Sequence, residues 1–375
     1  MAVRTVKEAA WTASAAALAL AFVGSVAARG AEAGELLYVP EGNRLRRVEI
    51  GTIGTATPRH DVLVENADGD PVRGRDVNGM ICSLPDGRFV AGEDTGQPRS
   101  PAGWGVFERD GRQVGKLVST SAAKKPDPYG CALDGEGRLF TTELGDAGFL
   151  ESNGQLILWF PPYDGFPSPP HPRPDAMSTN YCKIATDIGT AGGVAIDGQG
   201  RVYVASSSER RILRFLPPFP TGPDAAGGCG ARDATGAPQA DRVERETFVR
   251  AAPLQGLVTY AGLGIAPNGH LYASSVLTGR IAEFDLDGHL VRMLLKSDDL
   301  LPPHRTGTPY GLAVDAEGTL YYADLDLVRS GFWFDAGTNG KVWRIRFANG
   351  EPLEPELVLD GLRFPDGLGV RPGDL

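Results

Sequence analysis

Two sets of polar residues recur along this chain at fixed places and could meet around one axis. The first set stands immediately before a glycine: Asn78, Tyr129, Gly192, Ala261, Tyr310 and Asp366. The second stands six residues after a turn glycine: Glu93, Glu143, Ser206, Ser275 and Asp324. Carboxylates brought to one place repel each other unless neutralised, and a hard divalent cation with oxygen ligands does this, calcium being the simplest. The candidate metal ligands are therefore Asp366, Asn78, Glu93, Glu143 and Asp324, the alternative being that the carboxylates are strand ends that bind local amides. His304 lies in the segment leading into Tyr310 and is the candidate base; His270 and His289 fall in turns, His171 in a proline-rich stretch and His60 beside an outer strand. A metal would polarise a carbonyl while such a base activates water. Compact catalytic motifs are absent: there is no GxSxG, HExxH, CxxC or glycine-rich phosphate loop.

What would hold these residues is a repeat. An alternating apolar strand, a small-residue turn and a second strand recur six times, from NGMICSLPDGRFVAGE at Asn78 through YGCALDGEGRLFTTE, GGVAIDGQGRVYVAS, AGLGIAPNGHLYASS and YGLAVDAEGTLYYAD to a truncated DGLGVRPGDL at Asp366. Copies lie roughly 50 to 70 residues apart, the length of a four-stranded propeller blade with insertions. Third strands follow in register, as in Leu156-Ile157-Leu158-Trp159 and Val342-Trp343-Arg344-Ile345. The expected fold is all-β: a six-bladed β-propeller of four-stranded antiparallel blades. The last copy lacks its partners, and ELLYV from Glu35 with RLRRVEI from Arg44 supplies them, so the ring closes by joining N- and C-terminal strands.

Loops following second strands surround the mouth of such a ring. Two are long, Glu143 to Gln155 and Asp324 to Lys341. The latter carries Phe332, Trp333 and Phe334, which serve either as a ligand wall or as packing on a neighbouring blade. Phe332 and Trp333 with Tyr129 and Tyr310 make the candidate substrate pocket. Insertions of 161–181 and 217–246 fall on the opposite face. Cys182 and Cys229 adjoin or lie in them, on adjacent blades, and are read as a disulfide. Cys82 and Cys131 sit on neighbouring inner strands shifted by one residue, and are read as buried apolar groups pointing to different faces.

The remaining composition narrows the setting. Arg4 and Lys7 precede an Ala/Leu-rich run from Ala9 to Val26 and small residues suited to a signal peptidase, so 1–33 reads as a signal peptide cleaved between 27 and 33. Residues 34–375 then form a single domain, periplasmic or secreted, with no membrane span in the mature chain. A net charge of -10 without a Lys/Arg run argues against nucleic acid. The expected partner is a small-molecule ligand or a protein at the mouth of a monomer.

The repeats resemble those of the NHL-repeat and gluconolactonase (senescence-marker-protein) families of six-bladed propellers, over nearly all of the chain after 33. In the gluconolactonase group the residue before the inner-strand glycine supplies a Glu, an Asn and an Asp to one divalent metal that assists lactone hydrolysis. Asp366 in Pro-Asp-Gly and Asn78 in Val-Asn-Gly match two of these, and no glutamate takes the third place. The resemblance implies a metal-assisted hydrolase of a lactone or small ester; the alternative is a non-catalytic NHL-type propeller that binds a protein, glycan or small ligand.

Overall fold

The computed structural model describes residues 35–371 except 43, 56–57, 66–75, 95–101, 124–125, 147–151, 164–165, 168–178, 252–253, 255, 298, 300 and 332. The segment read as a signal peptide, His171 and Phe332 lie outside the described residues, as does the side chain of Trp333.

The turns set the strands. In Asp134-Gly135-Glu136-Gly137 the Asp134 carboxylate accepts the amides of Glu136 and Arg138, while Gly137 takes φ +74° and turns the chain back. That left-handed residue, rather than the Asp-Gly pair itself, is what the hairpin needs, and a glycine adopts it without a Cβ clash. The Asp197 turn repeats the pattern with Gln199 and Arg201.

Six four-stranded antiparallel blades result. From the axis outward, blade one is Asp76–Ser83, Phe89–Asp94, Gly103–Phe107 and Gln113–Leu117. Blade two is Pro128–Leu133, Leu139–Glu143, Gly154–Trp159 and Tyr181–Ile188. Blade three is Ala191–Ile196, Val202–Ser206, Arg211–Leu216 and Glu244–Arg250, and blade four Tyr260–Ile265, Leu271–Ser275, Arg280–Phe284 and Leu290–Leu295. Blade five is Pro309–Val314, Leu320–Asp324, Gly340–Ile345 and Glu356–Leu362. Blade six takes its inner strand, Gly369–Arg371, from one end of the chain and Leu36–Glu41, Arg44–Glu49 and His60–Glu65 from the other. Leu36, Leu37 and Tyr38 pair with Arg371, Val370 and Gly369, closing the ring as the repeat count requires.

Apolar faces of neighbouring blades pack against each other and carry the core. Leu156, Leu158 and Ile184 of blade two meet Val204, Leu213 and Phe215 of blade three, all nearly or fully buried. Near the axis the backbones themselves touch. A Cβ on Gly79 would strike the Tyr129 carbonyl, on Gly130 that of Gly192, on Gly193 that of Ala261, and on Gly262 that of Tyr310. Gly311 abuts Gly367, and Gly367 abuts Gly79. One glycine per blade thus lets the inner strands close into a tight ring.

Two disulfides staple adjacent blades. Cys182 and Cys229 are bonded as expected, the latter reaching from the blade-three insertion to the outer strand of blade two. The same insertion adds Pro238–Gln239 to that outer strand. Cys82 and Cys131 are also bonded, with Cα atoms 6.0 Å apart, which corrects the reading of them as separate apolar residues. The one-residue offset is real: Ile81 and Cys131 occupy equivalent rungs, facing Ala91 and Thr141. Opposite faces of adjacent blades look at each other, however, so the offset brings the two sulfurs together.

Candidate functional site

Each blade delivers its second-strand end to the mouth side, and the ring has six such positions rather than five. Pairing of Leu37 with Val370 makes Glu41 the sixth, a residue that carries no repeat turn before it and was therefore invisible to the spacing. All six are buried: Glu41, Glu93, Glu143, Ser206, Ser275 and Asp324. Each is also engaged within its own surroundings. Glu41 accepts Arg46 Nε at 2.7 Å. Glu93 holds Lys116 Nζ at 2.9 Å, both side chains sequestered from water, and accepts Gln113 Nε2 at 3.0 Å. Asp324 Oδ1 accepts the amides of Thr308 at 2.7 Å and Asp326 at 3.0 Å. Ser206 donates to Glu209, and Ser275 accepts from Thr259 N and Thr278 Oγ1.

Glu143 is perturbed in its protonation. Burial pushes its carboxyl up to about 7, against hydrogen bonding by Ser121 and the attraction of Lys183, with Asp127 and Asp146 adding to the rise. Ser121 donates to one carboxylate oxygen and Gln155 Nε2 lies 3.3 Å from the other.

The inner-strand set behaves differently. Tyr129 and Tyr310 come from blades two and five, on opposite sides of the ring, and meet edge to face with centroids 4.8 Å apart. Two phenol rings thereby meet across the ring of blades. Tyr129 donates to the backbone oxygen of Asp366 at 2.9 Å. Asp366 Oδ1 accepts the Gly79 amide, and the adjacent Asn78 gives its Nδ2 to Asp127 Oδ1 at 2.9 Å. Asp127 belongs to the segment entering blade two and was not singled out in the sequence; its place two residues before Tyr129 was the available signal. Burial raises both phenols, and the nearby carboxylates of Asp127 and Asp366 add to the rise. Tyr310 remains half-buried and Tyr129 is closed off.

The candidate residues therefore divide. Asn78, Tyr129, Tyr310 and Asp366 gather at the axis with Asp127, whereas Glu93, Glu143 and Asp324 are drawn into their own blades. Among the described residues, the acidic and histidine groups close enough to share an ion are Asp285, Asp287 and His289, and Glu35, Asp315 and Glu317, neither of which contains a mouth residue. His304 is buried, with Nδ1 2.9 Å from Ser297 Oγ and Nε2 2.9 Å from the Leu277 carbonyl, so both ring nitrogens are occupied. Phe334 sits on the hairpin Leu327–Ser330 and Trp333–Ala336 beyond the second strand of blade five.

Solved structures share this architecture. A chain of a nidogen/laminin complex aligns over 90% of this chain and 98% of its own at 12% identity, with a TM-score of 0.52. The fold is that of the six-bladed propellers. A luciferin-regenerating enzyme aligns with this propeller over 88% of the chain and 99% of its own at 14% identity and a TM-score of 0.51. A calcium-binding protein, regucalcin, from Agrobacterium tumefaciens does so over 80% of each chain at 14% identity and a TM-score of 0.50. No family model and no curated protein sequence matches the propeller. Among its described residues no helix is long and apolar enough to cross a membrane.

Proposed function

We propose that the chain is an exported, non-catalytic binding propeller whose mouth accepts a positively charged group of a small molecule or of a protein side chain. The observation that carries this is the axial site itself: two phenol rings meet edge to face, with the carboxylates of Asp127 and Asp366 beside them. Carboxylates beside an aromatic face attract an organic cation through both charge and ring quadrupole. The half-buried Tyr310 offers the contact. Export is supported by the leader-like first 33 residues and by two disulfides, which persist in oxidising compartments.

A second reading, metal-assisted hydrolysis of a lactone or small ester, is favoured by one atom. Asn78 Oδ1 is buried without a hydrogen-bond partner. The donor set nevertheless fits a divalent ion such as calcium poorly. Asp366, Asp127 and Asn78 are three side chains against the roughly six to eight oxygens calcium takes, and Asn78 turns its nitrogen, not its oxygen, to Asp127.

Metal content of the dialysed mature chain, with thermal melts in the presence and absence of EDTA, separates the two. The binding reading expects no stoichiometric divalent ion and no EDTA shift, together with saturable binding of choline or spermidine that Tyr310→Ala removes. A tightly held ion lost in Asp366→Ala would replace it with the hydrolase reading.

A further inference from the structure

A cavity of about 590 Å³ lies away from the axis, where the outer strand of blade four passes into blade five. Its wall is built from Lys296, Asp299, Arg305, Tyr322, Trp343 and Glu354. The volume falls in the range typical of small-molecule sites, roughly 300 to 1,000 Å³.

Its charges are exposed and of both signs. Of the arginines nearby, Arg292 pairs with Glu283, and Arg344 and Arg346 pair with Glu356. Lys296, Arg305, Asp299 and Glu354 are exposed, two of each sign on one cavity, and among the described residues none forms an ion pair. Tyr322 backs Trp343 in a near-parallel stack, 15° between planes, and fixes the half-buried indole as one wall. The indole Nε1–H is buried and has no hydrogen-bond partner among the described residues.

These features specify a ligand. A simple anion would satisfy the two cations and be repelled by the two carboxylates, and a simple cation meets the reverse. A hydroxyl both donates and accepts, so a hydroxyl-rich neutral molecule answers all four charged groups at once. An aromatic wall suits the C–H face of a sugar ring, since an apolar surface with a few convergent polar groups is what orients such a ligand. We propose that this cleft between blades four and five is a binding site for a neutral oligosaccharide, separate from the axial mouth.

The test uses the full mature chain with cellotetraose, maltotetraose and chitotetraose, read by isothermal titration and saturation-transfer NMR. At least one should bind, and Arg305→Ala or Glu354→Ala should weaken it tenfold or more. Both residues are exposed, so the fold survives these changes, which near-ultraviolet circular dichroism checks. Tyr310→Ala, at the mouth, should leave the sugar affinity unchanged. Failure of all three sugars to bind overturns the site, as does binding indifferent to Arg305→Ala and Glu354→Ala. Binding only of polygalacturonate, an acidic control, would overturn the neutral ligand class.

Discussion

Tyr129 and Tyr310 stand three blades apart on the six-blade ring and touch edge to face across its axis, the Tyr129 hydroxyl ending on the Asp366 carbonyl. Two separate contributions can be removed in turn. Tyr129→Phe keeps the ring pair and loses one neutral hydrogen bond, a loss of about 1 kcal/mol. Tyr310→Ala loses the aromatic pair and part of a buried ring, about 2 kcal/mol. Urea denaturation of both variants checks this. A neutral Tyr310→Ala would show that the ring pair does not brace the axis.

Glu93 and Lys116 form an ion pair with both side chains removed from water. Breaking such a pair strands a charge, so Lys116→Met should cost about 3 to 5 kcal/mol, much of which Glu93→Gln added to it should restore. A double-mutant cycle by chemical denaturation measures the coupling. Additive single effects would place the pair's importance elsewhere.

The blades were legible because their signals are local. Alternating strands, Asp-Gly and Asn-Gly turns and the incomplete last repeat together imply the ring and its closure, down to Arg44–Glu49 as a third strand of blade six. What was not legible depends on neighbours that only the folded chain brings together. Glu41 joins the mouth ring through pairing with a strand more than 300 residues away. Lys116 reaches Glu93 from the outer strand of its blade, two strands over, and Asp127 gains its role from Asn78 in blade one. Carboxylate spacing put the acids at equivalent ends of their second strands. It did not show that partners within each blade would occupy Glu93 and Asp324.

Glu143 makes stability depend on pH. Its folded carboxyl titrates near 7 against an ordinary value of 4.5, because burial disfavours the charge. The native state thus holds a proton that the unfolded chain releases, and the associated stability is present below about pH 4.5 and lost as pH rises through about 7. Glu143→Gln should match the parent at pH 4 and exceed it at pH 8 by about 1 to 3 kcal/mol. Denaturation at the two pH values decides. An equal difference at both would mean that Glu143 stays ionised in the fold.

Gly367 lies where ring closure leaves no space, since a Cβ there would fall 1.6 Å from the Gly79 carbonyl oxygen. Gly367→Ala should destabilise by at least about 4 kcal/mol, as backbone displacement on both blades is the alternative. Gly198 has nothing within 4 Å of its Cβ position and serves as the control. Gly198→Ala should stay within about 0.5 kcal/mol of the parent. Equal effects of the two substitutions would contradict the tight packing of blades one and six.

Cys82 and Cys131 cross-link blades one and two over a sequence separation of 49. In the chain-entropy account, closing a loop of that length restricts the unfolded ensemble by about 4 kcal/mol. Their sulfurs also lie in the apolar layer with Val90, Val106 and Ile157, where alanine fits and serine buries a hydroxyl. Cys82→Ala with Cys131→Ala should therefore lower stability by about 4 kcal/mol, while the corresponding serine pair falls further. Intact-mass analysis before and after alkylation, with and without reductant, verifies that the parent carries no free thiol. In a background carrying Cys182→Ala with Cys229→Ala, where reductant acts on this bond alone, melts in reductant should then approach those of the added alanine pair; a reduced form that melts with the oxidised one would remove this staple from the account of how the first two blades are held.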